Sequence, residues 1–202
     1  MTKIYISGKI TGLPFPEVKA KFQRMEELLE ELGIMPVSPL RNGLTDKHTW
    51  NEHMIKDVEI LLGCDGILML DDWESSDGAM IERYIAEKKG MDIWYEVPFI
   101  EKQKIVSNIK TAIYETTRLS FKDYATKSRK RDVFFARMLF AKQCSNVMKP
   151  TEVAKLISRD RTTVLHLLKV YDNETRYNPY FRQLATSVDE RLNLKTKHDA
   201  KA

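Results

Sequence analysis

Cysteine is scarce in this chain of 202 residues: Cys64 and Cys144 are the only two, 80 positions apart. They form no CxxC pair, so neither a disulfide framework nor a thiol-rich metal site is expected. With disulfides absent, a reducing, cytoplasmic setting is the expectation. No apolar run approaches the roughly 18 residues that a membrane helix requires. The opening MTKIYISGKI lacks a basic stretch followed by a long apolar one, so no secretory signal is expected there. Glycine and proline are few, 8 and 7, which excludes a collagen-like or low-complexity chain. There is no GxxxxGK[ST] phosphate loop and no GxGxxG. The histidines have no metal-ligand spacing, so neither a cofactor nor a metal is expected. What is present is 43% apolar and 31% charged residues, enough to bury a core and keep a polar surface.

Cations are the other thing missing, but only from one half. Residues 1–100 hold 11 Lys and Arg against 18 Asp and Glu, a net of −7. Residues 101–202 hold 22 against 11, a net of +11. An asymmetry of this size argues for two domains with different partners, the basic one with the electrostatic footprint of a polyanion binder.

Strand-like and helix-like segments alternate through the first half. Residues 3–7, 34–37, 66–70 and 91–95 are short β-prone runs. Between them fall helical stripes: Val18 to Leu32, Trp50 to Leu62, and Met80 to the Ala-rich end before Gly90. This pattern predicts an α/β fold with a Rossmann-like parallel sheet. From Pro98 onward the strand runs stop. Residues 99–118 read as a connecting helix, and Ser128 as the cap of a helix carrying Val133, Phe134, Met138, Leu139 and Phe140. Pro150 to Ile157 and Thr162 to Tyr171 read as two helices about a tight Ser158-Arg159-Asp160 turn, a helix-turn-helix pattern. Residues 179–192 read as a last helix. Val164, Leu165, Leu167 and Leu168 are assigned to its core. The expected division is 1–97, a helical connector 98–127, an all-α helix-turn-helix domain 128–192, and a disordered tail 193–202.

In a parallel sheet, the loops at the carboxyl ends of neighbouring strands meet in one crevice. That brings Tyr5-Ile6-Ser7-Gly8-Lys9-Ile10-Thr11-Gly12 together with Ser76-Asp77-Gly78-Ala79-Met80-Ile81-Glu82. Asp57 lies on the helix leading into the third strand. A pocket lined by Tyr5, Ser76 and Glu82 and bordered by Asp57 is expected, with Gly8 and Gly78 allowing close backbone approach.

YISGxI-T-G, an Asp before the third strand, and S-x-G-x-x-x-E after it together resemble the nucleoside 2-deoxyribosyltransferase superfamily. That superfamily includes the deoxynucleoside 5′-monophosphate N-glycosidases. A phage and bacterial branch of unassigned function is most similar, with Trp73, Ser76, Gly78, Ala79, Glu82, Ala86 and Gly90 matching its pattern. The resemblance covers residues 1–97. It implies Glu82 as the nucleophile at the anomeric carbon, Asp57 at the leaving base or sugar, and Tyr5 beside the nucleophile. It places Gly8, Lys9, Ser76 and Gly78 around the sugar or its 5′ group, with Lys9 standing where proline is common. It also implies a homo-oligomer. Two functions remain open: cleavage or transfer at the N-glycosidic bond of a deoxynucleoside or its monophosphate, and binding of such a nucleotide without catalysis.

Residues 128–170 carry a second resemblance. SRKRDVFFARMLFAK followed by KPTEVAKLISRDRTTVLHLLKVY is similar to the C-terminal DNA-binding domain of the replication initiator DnaA, whose signature runs GRDHTTVLHAxxKI. Arg161 replaces the histidine of that signature. The resemblance implies double-stranded DNA as partner, with Asp160, Arg161, Thr162 and Thr163 at the base edges. Arg129 and Arg131 form a basic entry, Arg129 toward a minor groove. Arg137, Lys149, Lys155 and Arg159 are expected at phosphates.

Overall fold

The computed structural model describes residues 2–199, with side chains described through Asn193. The chain divides into two compact units, 1–101 and 102–202.

The first unit is a parallel sheet between helices. Its strands are β1 (Lys3–Ser7), β2 (Met35–Val37), β3 (Gly66–Met69) and β4 (Asp92–Tyr95), in spatial order β2-β1-β3-β4. Ile4 pairs with Pro36 on one side and Gly66 on the other, and Met69 of β3 pairs with Tyr95. Three helices connect the strands: α1 (Phe15–Glu31), α2 (Trp50–Leu62) and α3 (Asp77–Lys88). Each starts where the sequence supplies a start. Pro16 and Glu17 open α1, a capping box of Thr49 and Glu52 opens α2, and the Ser76 hydroxyl accepts from the Ala79 amide at α3. The strands alternate faces. Ile4, Ile6, Leu68 and Leu70 pack on Val18, Phe22, Met25 and Leu29 of α1. Tyr5, Ile67 and Met69 pack on Leu61 of α2 and on Ala79 and Ala86 of α3. β1 sits between β2 and β3, so the carboxyl ends of β1 and β3 lie side by side where the strand order reverses.

α4 (Glu96–Thr117) begins in the first unit and continues into the second. The second unit adds α5 (Phe121–Tyr124), α6 (Arg131–Cys144), α7 (Pro150–Leu156), α8 (Arg161–Tyr177) and α9 (Pro179–Asp199). α6 is apolar nearly all round, so it takes the centre, buried against Val153, Val164, Leu167, Phe181 and Val188.

Several boundaries differ from the sequence expectation. Residues 106–113, expected in a connector, supply Val106, Ile109, Ala112 and Ile113 to the second core. The same expected connector, 98–127, contains the short helix α5, whose Tyr124 and Phe121 also pack on Phe140 of that core. α6 starts at Arg131, with Lys130 rather than Ser128 in the cap position. Leu165, expected in the core, is exposed, because its neighbours Val164 and Leu167 already occupy the inward face of α8. α9 extends through Asp199, so residues 193–199 of the expected tail are helical, and residues 200–202 lie outside the described residues.

Candidate functional sites

β1 places Tyr5 and Ser7 on the same face, two residues apart, because side chains alternate along a strand. The inward face of α3 puts Glu82 opposite them. The Tyr5 hydroxyl donates to Glu82 Oε1 at 2.7 Å, and the Ser7 hydroxyl donates to Oε2 at 2.5 Å. Both carboxylate oxygens are therefore held by residues of one strand. Glu82 is 5% exposed and Tyr5 and Ser7 are fully buried. Burial pushes the Glu82 carboxyl up to about 7, while the Ser7 and Tyr5 hydroxyls pull against that rise and the Asp57 charge adds to it. Burial, followed by the charge of Glu82, raises the Tyr5 phenol well above its ordinary value.

Asp57 lies near enough to Glu82 and Tyr5 for its charge to be felt by both. Its carboxylate accepts from Asn42 Nδ2 at 2.8 Å, and burial raises its pKa against the pull of Asn42 and His53. Asn42 is itself pinned. Its Oδ1 accepts from the Leu44 amide at 2.9 Å, and its Nδ2 faces His53 Nδ1 at 3.3 Å. Tyr5, Glu82 and Asp57 thus come together. Burial raises both carboxyl groups, so each holds its proton more readily than it would in water.

The expected substrate-binding positions have structural duties as well. Gly8 packs so closely that a Cβ there would lie 2.7 Å from Leu70 Cδ1. The Lys9 amide donates to Asp72 Oδ1 at 3.0 Å, and its carbonyl accepts from Lys21 Nζ at 2.5 Å. Ser76 caps α3, and a Cβ at Gly78 would meet Met54 Sδ at 3.1 Å. A cleft of about 430 Å³ lies on the α1 side, lined by Lys21, Arg24, Asp71, Asp72 and Glu96 among others, and contains none of Tyr5, Asp57 and Glu82. Two ion pairs span it: Arg24 with Glu96, and Lys21 with Asp72. The cleft is a network that ties α1 to the ends of β3 and β4.

Sequence reasoning assigned no role to Ser7, Asn42 or His53. Ser7 was within reach, since it shares strand parity with Tyr5. Asn42 and His53 join Asp57 only through tertiary contact.

In the second unit, α7 and α8 flank a turn at 157–160, where Ser158 takes a left-handed backbone with φ of 51°. Asp160 Oδ1 accepts from the Thr163 amide and the Thr162 hydroxyl, each at 2.6 Å. Those two donors hold its carboxyl down at about 2. Asp160, expected at a base edge, is thus engaged as the N-cap of α8, and Thr162 spends its hydroxyl proton on that cap. The outward face of the helix carries Arg161, Thr162, Leu165, His166 and Lys169, all exposed, with Thr163 half-buried beside them. Lys149 and Lys155 on and before α7 are exposed as well, as are Arg129 and Arg131.

Arg137 corrects the expectation of a phosphate contact. It is 5% exposed, and its guanidinium donates to three main-chain carbonyls: Tyr124 at 2.8 Å, Thr126 at 2.6 Å and Ser128 at 3.0 Å. The reason is its place on α6, whose surroundings bury nearly every side chain. Arg159 is half-buried, and it too donates to the Thr126 carbonyl.

Among the described residues, no group of three or more His, Cys, Asp or Glu side chains is placed to hold a metal ion, and no helix is long and apolar enough to cross a membrane. A family model described as a domain of unknown function, DUF4406, matches residues 2–95. Among curated proteins none matches the chain. One solved structure, described as a DNA replication initiation factor, aligns with 96% of this chain and 88% of its own at 12% identity and a TM-score of 0.40, too distant to carry an argument.

Proposed function

We propose that this is a sequence-specific duplex-DNA-binding protein, and that its first unit takes a deoxynucleoside or deoxynucleoside 5′-monophosphate at Glu82. The observation that carries the DNA reading is the outward stripe of α8. The run Arg159-Asp160-Arg161-Thr162-Thr163-Val164-Leu165-His166 resembles the replication-initiator signature. It folds as the turn and first turns of a helix whose opposite face is core. An exposed N-terminal half of a second helix, flanked by cations, is what a major groove admits. Arg161 is the base-reading residue, with Lys149, Lys155 and Lys169 at phosphates.

For the first unit, the pairing of Glu82 with Tyr5 and Ser7, close to Asp57, supports cleavage at the N-glycosidic bond. The Glu82 carboxylate attacks the anomeric carbon and forms a glycosyl ester. The bond from that carbon to the base breaks and the electron pair leaves with the base, with Asp57 as the proposed acid that delivers a proton to it. Water then hydrolyses the ester, or a second base displaces it. The near-complete burial of Glu82 favours a second reading, in which the ligand is sensed and not cleaved. We also propose a homo-oligomer, in which paired DNA modules gain avidity through effective concentration.

The test has two arms on the full chain. Deoxynucleosides and their monophosphates are incubated with the protein and free base is read by chromatography. Release that vanishes in Glu82→Gln supports the enzyme. No release, together with a ligand-dependent rise in Tm, supports the sensor. Duplex affinity is titrated with salt, and binding that does not weaken as salt rises would remove the DNA reading.

A further inference from the structure

Residues 125–130 join α5 to α6 and carry a dense run of cations. Lys127, Arg129, Lys130 and Arg131 are all exposed. Four neighbouring positive charges repel one another, and a loop without strand or helix bonds has no ladder to hold it. Here the main chain is held from below. The buried guanidinium of Arg137 takes the carbonyls of Tyr124, at the end of α5, and of Thr126 and Ser128 in the loop. Arg159, from the turn between α7 and α8, takes the same Thr126 carbonyl from the other side. Arg137 has no carboxylate partner among the ion pairs of the described residues. The two guanidiniums are close enough that Arg159 lowers the pKa of Arg137, after burial. The Thr126 carbonyl is therefore a shared anchor that ties the basic loop to the helix-turn-helix turn.

We infer that Arg137 is a positioning residue for DNA. With Arg159 it fixes residues 124–128, so that Lys127, Arg129, Lys130 and Arg131 are presented as one rigid cationic surface with the start of α8. The ligand is the phosphate backbone of a duplex whose bases α8 reads. This inference rests on the DNA reading above. The physical gain is preorganisation: a loop already ordered has no ordering entropy to lose when it meets phosphate. An arginine suits the task because its Nε and terminal nitrogen donate from separate points of one rigid plane, where a lysine donates from a single nitrogen.

The experiment is a double-mutant cycle on the full chain, with duplex affinity and its salt slope measured for Arg137→Lys, Arg129→Ala and the double variant. Arg137→Lys leaves net charge unchanged. It is expected to weaken duplex binding by about tenfold and to lower the salt slope by about 2 as loop–phosphate contacts are lost. Arg129→Ala should then cost little more in the Lys background than it does alone, because a loosened loop no longer delivers that charge. Additive losses, or unchanged affinity in Arg137→Lys, would overturn the inference while leaving DNA binding intact. Absence of duplex binding by the parent protein would sink the DNA reading and the inference with it. Should Arg137→Lys fail to fold, backbone relaxation on the unaltered free protein decides. Order parameters near those of α6, about 0.85, across residues 125–130 are expected, and values below about 0.6 would overturn the proposal.

Discussion

Glu82 shows how a single side chain sets a pH dependence. Its carboxyl has an ordinary value of 4.5 and is pushed up to about 7 in the fold. The folded state therefore binds a proton more readily than the unfolded chain between those values, so stability falls as pH rises through the window. The ionised form costs the fold on the order of 3 kcal/mol by pH 8. Asp57 is raised in the same direction. Glu82→Gln should remove the Glu82 part, so the drop in Tm between pH 4.5 and 8 should be smaller in the variant than in the parent. Thermal melts across that range check it, and parallel curves would refute it. Ser158 is a second case. A non-glycine residue at a φ of 51° is strained. The replication-initiator signature that this turn resembles has glycine there. Ser158→Gly is expected to stabilise the second unit by about 1 kcal/mol, read as a rise in urea midpoint at unchanged slope.

At the scale of elements, α8 divides its labour between two faces. Val164, Leu167 and Tyr171 face the core, while Arg161, Leu165, His166 and Lys169 face outward. A substitution on the outward face should leave the fold alone and alter binding in a way that depends on what the residue meets. Arg161→Ala should cost about 1–3 kcal/mol on the preferred site and relax sequence preference. Lys155→Ala, on α7, should weaken all duplexes about equally. Competition binding with several duplexes at fixed salt separates the two, and identical specificity profiles for both variants would move base reading away from Arg161. Asp160 is expected to behave as neither, since its carboxylate is committed to capping α8.

For the whole molecule, the net −7 of the first hundred residues and the +11 of the rest put the cationic excess in the second unit, where the proposed duplex contact lies. A homo-oligomer in solution is expected, and light scattering at micromolar concentration that returns a mass near 23.6 kDa would exclude it. Binding curves on a duplex carrying two sites should then be steeper than on one, since the second module binds at an effective concentration set by the first.

The sequence by itself determined the alternation of strands and helices in the first half and the all-helical second half. These are local matters of periodicity and proline placement. It also brought Tyr5 and Glu82 into consideration, because a parallel sheet forces strand-end loops together, while Asp57 entered through the family resemblance. Strand order and the partners of the buried groups came only with the tertiary structure. Asn42 and His53 meet Asp57 through a loop and a helix that only packing brings together. Arg137 looked like a surface cation because charged residues are mostly exposed, although the apolar residues around it on α6 mark that helix for the centre. Burial is a property of the assembled core: a guanidinium buried there must find acceptors, and the carbonyls of residues 124, 126 and 128 were the ones within reach.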